Sequence, residues 1–516
     1  SNVFHVSLAC EILSSRQLLL TMSFFWSSKK DMKSTKLEAK KTMAKDASDG
    51  SDSEASTVAS ESEIPIPTTC YGLVKDHATK KIRKASVEET PAAKPVALVP
   101  NAAPQAPNEI YIDRKLYNVE KFKHPGGSVI KFFHGSGDAS AAFLQFHVRS
   151  KKAQKMLAAL PSRPASPEIE AEATGGKQEL QKDFEKLTLD LKAQGYFEPN
   201  MTEVIFRHAE IAMIFALGFY LLLCTSSWPL RAVGVVFLGI AEGRCGWLMH
   251  EGGHLSLTGN IKRDQTVQIW LYGVGCGMSA GWWRSQHNKH HATPQHLGQD
   301  PDLDTLPLVL FNTAVTARGV PKLMKKWLQA QAYLFIPLTC LLVVLGWQLF
   351  LHPRYMLRTS KWGELASLAV RYYGAFAFVF SGFSWPAAIG CYVLIQQVAG
   401  SYIFTNFALS HTHTDVVASD GNIHWCEYAS DHTVNLSNHW FVNWWMAYLN
   451  FQIEHHMFPS MPQFRHPAVS KRVRNLFRKH GLRYDTRGYF SCLGDTLKNL
   501  HEVGHTVEEK KSKKQQ

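Results

Sequence analysis

His250-Glu251-Gly252-Gly253-His254 follows directly on a largely apolar run at 232–248. Two more clusters lie beside apolar stretches: His287-Asn288-Lys289-His290-His291 and Gln452-Ile453-Glu454-His455-His456. On a helix, positions i, i+3 and i+4 share one face, so each cluster aims two or three imidazoles at a common point. One cluster is weak evidence. Three predict a constellation able to surround a metal pair with neutral nitrogen ligands, which suit iron, copper or zinc.

Working outward, residues 209–224, 232–248, 330–351, 362–383 and 386–409 are the apolar stretches, and a bilayer core needs roughly 20 residues of helix. If all three clusters face one side, an even number of spans separates the second from the third. The stretch 362–383 is interrupted by Arg371, Tyr372 and Tyr373. It is therefore assigned to the interface or to a re-entrant position, which leaves four spans. The basic segment 471–483 and the basic tail 508–516 place the C-terminus in the cytosol.

Composition agrees. A chain of 516 residues holds two or three domains. Its mean hydropathy is only slightly negative despite a very polar first part, so the remainder is strongly apolar. Lys and Arg, which give a net charge of +13, flank the spans and form no aromatic-interleaved patch. This favours an anionic membrane surface and excludes nucleic acid as the partner. The nine cysteines contain no C-x-x-C pair, and Cys224, Cys340 and Cys391 lie in apolar runs, the pattern of reduced core residues. Residues 1–21 lack the pattern of a signal peptide, and Met22 or Met32 is a candidate start. Residues 29–60 have no aromatic residue, so 1–65 is expected to be disordered. Residues 85–107, with five prolines, read as a linker. A small domain is expected at 66–160, a polar linker at 161–178 and the main domain at 179–507. Leu180, Phe184, Leu187 and Leu191 mark one face of a helix that Gly195 would end.

In the small domain, Tyr111 to Val119 alternates like a strand and is followed by Phe122-Lys123-His124-Pro125-Gly126-Gly127. His147 comes 23 residues after His124, behind Asp138-Ala139-Ser140-Ala141-Ala142-Phe143. These features resemble the cytochrome b5 family, an α+β haem-binding fold, although Glu109 stands where that family usually has an aromatic residue. The resemblance implies haem b with His124 and His147 as axial ligands; His134 is a weaker candidate. The glycines allow backbone to approach the haem edge. Two axial histidines leave no open position for oxygen, so such a haem passes single electrons.

The spacings His-x3-His, His-x2-His-His and Gln-x2-His-His resemble the membrane fatty-acid desaturase superfamily over about 180–503. The fused haem domain and Gln452 narrow this to front-end desaturases. Trp283-Arg284-Ser285-Gln286, Asp300-Pro301-Asp302-Leu303-Asp304-Thr305 and Phe458-Pro459 also look like that group. The resemblance implies an all-α polytopic domain with a cytosolic di-iron cap. Its iron ligands would be His250, His254, His287, His290, His291, His455 and His456, with His411 as the additional ligand (His413 is weaker) and Gln452 in the active-site shell. An unactivated methylene C–H yields to no ordinary acid or base; it needs an oxidant made from O2 and reduced iron. Two electrons per turnover would come from NADH through cytochrome b5 reductase and the fused haem.

The function implied is insertion of a cis double bond between an existing one and the carboxyl end of a polyunsaturated acyl chain. Delta-5 and delta-6 types both fit, with a lean to delta-5, and the acyl group can arrive as acyl-CoA or acyl-phospholipid. A sphingolipid long-chain-base desaturase is the nearest alternative. His250 to His254 also fits H-E-x-x-H, the zinc-protease helix with Glu as base. That reading leaves the haem domain and two clusters unexplained, and Glu251 is expected instead to orient an imidazole. A membrane-tethered haem carrier without catalysis is the third alternative. Lys513-Lys514-Gln515-Gln516 resembles the dilysine retrieval signal of endoplasmic reticulum membrane proteins.

Overall fold

A computed structural model of the protein describes residues 104–135, 137–303, 305–316, 319–418 and 423–509. The expected disorder at 1–65, the candidate starts, the linker as far as 103 and the dilysine tail lie outside these residues.

The small domain is built on a three-stranded antiparallel sheet, β1 (Glu109–Ile112), β2 (Lys115–Asn118) and β3 (Ser162–Pro164). The alternation from Tyr111 to Val119 is thus not one strand. Asp113 and Arg114 adopt positive φ (47° and 64°), the left-handed pair that closes a two-residue hairpin. The segment 161–178, expected as a linker, is structured: it supplies β3 and the helix Pro167–Thr174. Arg163 of β3 grips Glu109 through two hydrogen bonds of 2.9 and 2.8 Å, and Ile169 and Ala173 pack under Tyr111 and Leu116. Helices α1 (Ser140–His147), α2 (Lys151–Ala158) and α3 (Pro167–Thr174) complete this part. The helix expected around Leu180 is α4 (Gln178–Ala193), with Leu180, Phe184 and Leu191 buried. Gly195 at φ +76° ends it as expected.

Among the described residues four helices are long and apolar enough to cross a membrane: α5 (Met201–Cys224), α6 (Trp228–Gly253), α9 (Gln331–Arg358) and α11 (Trp385–Ala408). Between α6 and α9 lie α7 (Ile261–Trp270) and α8 (Ala280–Ala292). Helix α6 is central. A Cβ at Gly239 would stand 2.5 Å from Val398, and one at Gly243 2.2 Å from Tyr402. Small residues let backbones approach closely where lipid offers no hydrophobic drive between helices. The stretch 362–383 is not among the four spans. Its helix α10 (Trp362–Tyr373) is tucked against the bundle, and Arg371, the residue that broke the apolar run, pairs with Glu242 of α6 at 2.8 Å. It also donates to the carbonyls of Val274 and Gly275. A charge in such a place is tolerated because it is paired and fully hydrogen-bonded.

Candidate active site

Each histidine cluster sits where the fold fixes a helix end. His250 lies in the last turn of α6 and His254 caps it. Gly253, just before the cap, is required by space: a Cβ there would meet Trp283 at 2.2 Å, and Trp283 in turn stacks on His287 at 4.2 Å. The second cluster is on α8. Its N-terminus is anchored by Glu364 of α10, which accepts from Ser279 Oγ at 2.5 Å and from the Gly281 amide at 3.1 Å. The third cluster is on α13 (Gln452–Met457), which follows α12 (Trp425–Asp431). Asn435 accepts from the Ile453 amide and donates to Glu454, whose other oxygen accepts from Tyr484 at 2.5 Å. His411 lies three residues past the end of α11. Helices α6 and α11 therefore deliver their C-terminal ends to one place.

The histidines converge in two groups. His250, His254, His287, His291 and His455 bring five ring nitrogens within 4.8 Å of one another; His290, His411 and His456 do the same with three. The Nε2 atoms of His250 and His287 are 3.0 Å apart, those of His287 and His291 3.1 Å, and those of His411 and His456 3.2 Å. Imidazole–metal bonds of ~2 Å set neighbouring ligand atoms ~3 Å apart. The two groups adjoin, since His291 and His456 stack at 4.2 Å. Burial, with neighbouring imidazoles adding, pushes the pKa of His287, His291, His455 and His456 well below the usual value and that of His254 down to about 3. These rings are held neutral, the form that binds a metal. His254 Nε2 and both ring nitrogens of His455 are buried without a hydrogen-bond partner, a costly state that metal ions would relieve. The donor set fits a metal pair.

Outer contacts orient the rings. Burial would lower His290, but Asp300 and Asp302 raise it to about 9. Its Nδ1 donates to the Asp300 carboxylate at 3.0 and 3.1 Å, leaving Nε2 to face the group. His411 Nδ1 donates to the His432 carbonyl at 3.1 Å. The Gln452 side chain lies next to His411, so it adjoins the three-imidazole group. The Gln463 amide lies 2.7 Å from His250 Nδ1, and its oxygen has no partner. Exchanging amide oxygen and nitrogen lets it accept the Nδ1 proton. Asp300 was visible as part of a motif without a role, and Gln463 carried no signal in sequence. Glu251 corrects its expectation. It pairs with buried Arg207, not with an imidazole, and its other oxygen accepts from the Gln463 backbone N–H at 3.4 Å. A carboxylate so engaged is not poised as a protease base. His413 stands outside both groups.

In the small domain, the His124 and His147 rings face each other with centroids 6.0 Å apart. That separation admits one iron between two nitrogens, each at ~2 Å. His147 Nδ1 donates to the Phe143 carbonyl at 3.0 Å, which turns Nε2 toward the gap. A Cβ at Gly126 would strike the His124 ring at 2.7 Å, so the glycine leaves room for the ligand. The pair fits a haem with two axial imidazoles.

Comparison with known proteins agrees with this geometry. The family model described as fatty acid desaturase matches residues 226–488, and that of the cytochrome b5-like heme/steroid binding domain matches 104–162. The chain is 50% identical over 405 residues to an acyl-lipid (8-3)-desaturase of Rebecca salina, covering 78% of this chain and 93% of the relative. It is 46% identical over 407 residues to an acyl-lipid (8-3)-desaturase of Thraustochytrium sp, covering 77% and 92%. It is 27% identical over 401 residues to fatty acid desaturase 3 of Homo sapiens, covering 77% and 89%. The family uses a di-iron centre and the matched small domain binds haem. The chain belongs to the fatty acid desaturase family, as an oxidoreductase of the front-end type with a cytochrome b5-like haem domain fused ahead of its membrane domain.

Proposed function

We propose that this enzyme is a delta-5 front-end desaturase of lipid-linked acyl chains. The observation that carries the regiochemistry is the shared name of two relatives, acyl-lipid (8-3)-desaturase. We read it as a new double bond three carbons toward the carboxyl from one at carbon 8. The same names favour acyl-phospholipid over acyl-CoA. The iron ligands are His250, His254, His287, His291 and His455 on one side and His290, His411 and His456 on the other, supported by their convergence in two groups. When bound, the iron pair supplies the O2-derived oxidant that an unactivated C–H demands. The protein holds the rings in one tautomer through Asp300, the His432 carbonyl and Gln463, and keeps the site dry behind Trp247 and Trp283, both buried. Gln452 orients His411 from the shell. Axial ligation by His124 and His147 gives a one-electron donor, fed by NADH-cytochrome b5 reductase on the cytosolic face of the endoplasmic reticulum.

Expression in yeast tests this. Fed an acid whose first double bond is at carbon 8, the strain should accumulate the delta-5 product in phospholipid before it appears in acyl-CoA. Conversion of delta-6-type substrates in its place would overturn the regiochemistry. Earlier labelling of acyl-CoA would overturn the lipid carrier.

A further inference from the structure

The two axial positions of the haem domain face different surroundings. His124 lies in a loop where Lys121, Lys123, Pro125 and Gly126 are exposed. His147 ends α1, and the residues around it are sunk into the desaturase domain. Val148, Ala141 and Ala142 share one core with Phe184, Trp425, Met457 and Phe458. Gln145, fully buried, donates to Thr188 at 2.9 Å, and its carbonyl accepts from Ser460 at 2.8 Å. Such an interface is a packed core, unlike the polar surface of a tethered carrier that docks transiently.

Two contacts from residues flanking His147 lead toward the metal site, one to each histidine group. The Phe146 ring meets Trp425 edge-on at 5.7 Å, and Trp425 Nε1 donates to the carbonyl of Met457 at 3.3 Å. Met457 is bonded to His456 of the three-imidazole group. Two residues past His147, Arg149 donates to the carbonyl of Leu255 at 2.6 Å. Leu255 is bonded to His254 of the five-imidazole group. Electron tunnelling weakens steeply with each gap between atoms, so covalent and hydrogen-bonded steps dominate.

We propose that the haem domain is permanently docked by its His147 face, with Phe146–Trp425 and Arg149–Leu255 as the exits to the metal site and the exposed His124 side as the entry for the reductase. Each transfer oxidises ferrous haem to ferric and adds one electron to the metal pair. Two such electrons, two electrons and two protons from the C–H bonds, and two protons from solvent convert O2 to two waters. Phe146, Trp425 and Arg149 are positioning residues, since none touches a reacting atom.

The test uses the full-length holoenzyme in lipid nanodiscs, reduced without oxygen and then mixed with O2 and acyl-lipid in a stopped flow, following the haem bands. Trp425→Leu and Arg149→Leu should each slow haem reoxidation, and the double variant should be slowest, with haem spectrum and iron content unchanged. Reoxidation at the wild-type rate in the double variant overturns the proposal. Should either variant misfold, a mixing experiment decides. A His147→Ala chain and a His455→Ala chain, combined in one membrane, should yield no product, because transfer stays within one docked chain; product from the mixture overturns it. A third readout needs no catalysis. Amides 141–149 should exchange hydrogen slowly in the full chain and faster in Arg149→Leu, and exchange already fast in the wild type overturns permanent docking.

Discussion

The five-imidazole and three-imidazole groups lie side by side yet differ in what completes them. The first gathers His250 and His254 from α6, His287 and His291 from α8 and His455 from α13. Five nitrogens nearly fill the coordination of a first-row ion. The second has three imidazoles, and next to them an amide, Gln452, where a further imidazole would have closed the shell. Catalytic metal sites keep an open position and structural ones do not. On the proposed ligand set, the five-imidazole group would anchor its ion and the exchangeable positions would lie at His290, His411 and His456. Outer contacts follow the same division, because a carboxylate and a carbonyl polarise His290 and His411, whereas the support of His250 is a neutral amide.

Removing a ring from the five-imidazole group should have the largest effect. His455→Ala should abolish product and drop non-haem iron below two per chain, with the haem spectrum intact; His250→Ala and His291→Ala should behave alike. Full iron retention in any of them, measured by metal analysis, removes that residue from the shell. His124→Ala provides the converse. It should erase the low-spin haem spectrum and product while both irons stay bound.

Asp300→Asn tests the outer shell of the three-imidazole group. Loss of a carboxylate behind a ligating histidine costs about 10–100-fold in metal affinity or activity. Chelator titration should show the loss from one iron only; equal loss from both would dissolve the distinction between the groups. Gln452 gives the smallest and sharpest effect. Gln452→His supplies a strong fourth imidazole, so it should lower turnover while iron binds at least as tightly, whereas Gln452→Ala should lower turnover and loosen iron. Wild-type turnover in both variants would reduce Gln452 to packing.

What could be read in sequence was whatever a short segment determines alone. The three clusters and the four spans follow from spacing or from local hydropathy, the His124–His147 pair came only through the resemblance to cytochrome b5, and 362–383 betrayed itself through Arg371. Gly253 at the end of α6 is a space requirement set by Trp283, thirty residues on, which no local pattern announces. The ion pair of Glu251 with Arg207 and the amide of Gln463 at His250 join residues far apart in the chain, so no local pattern carries them. The segment 161–178 looked like a linker because its composition is polar. Its β3 strand exists through pairing with β2 and through Arg163 reaching Glu109, a tertiary override of weak propensity.

Eight converged histidines that hold an iron pair beside a separate haem would give three distinguishable iron environments in one chain. Mössbauer spectroscopy of the purified, iron-57-enriched chain tests this most directly. The expected spectrum has one low-spin haem signal and two non-haem iron sites of unequal environment, one per histidine group. Zinc in place of non-haem iron in an active preparation, or a single non-haem iron per chain at full activity, would contradict it.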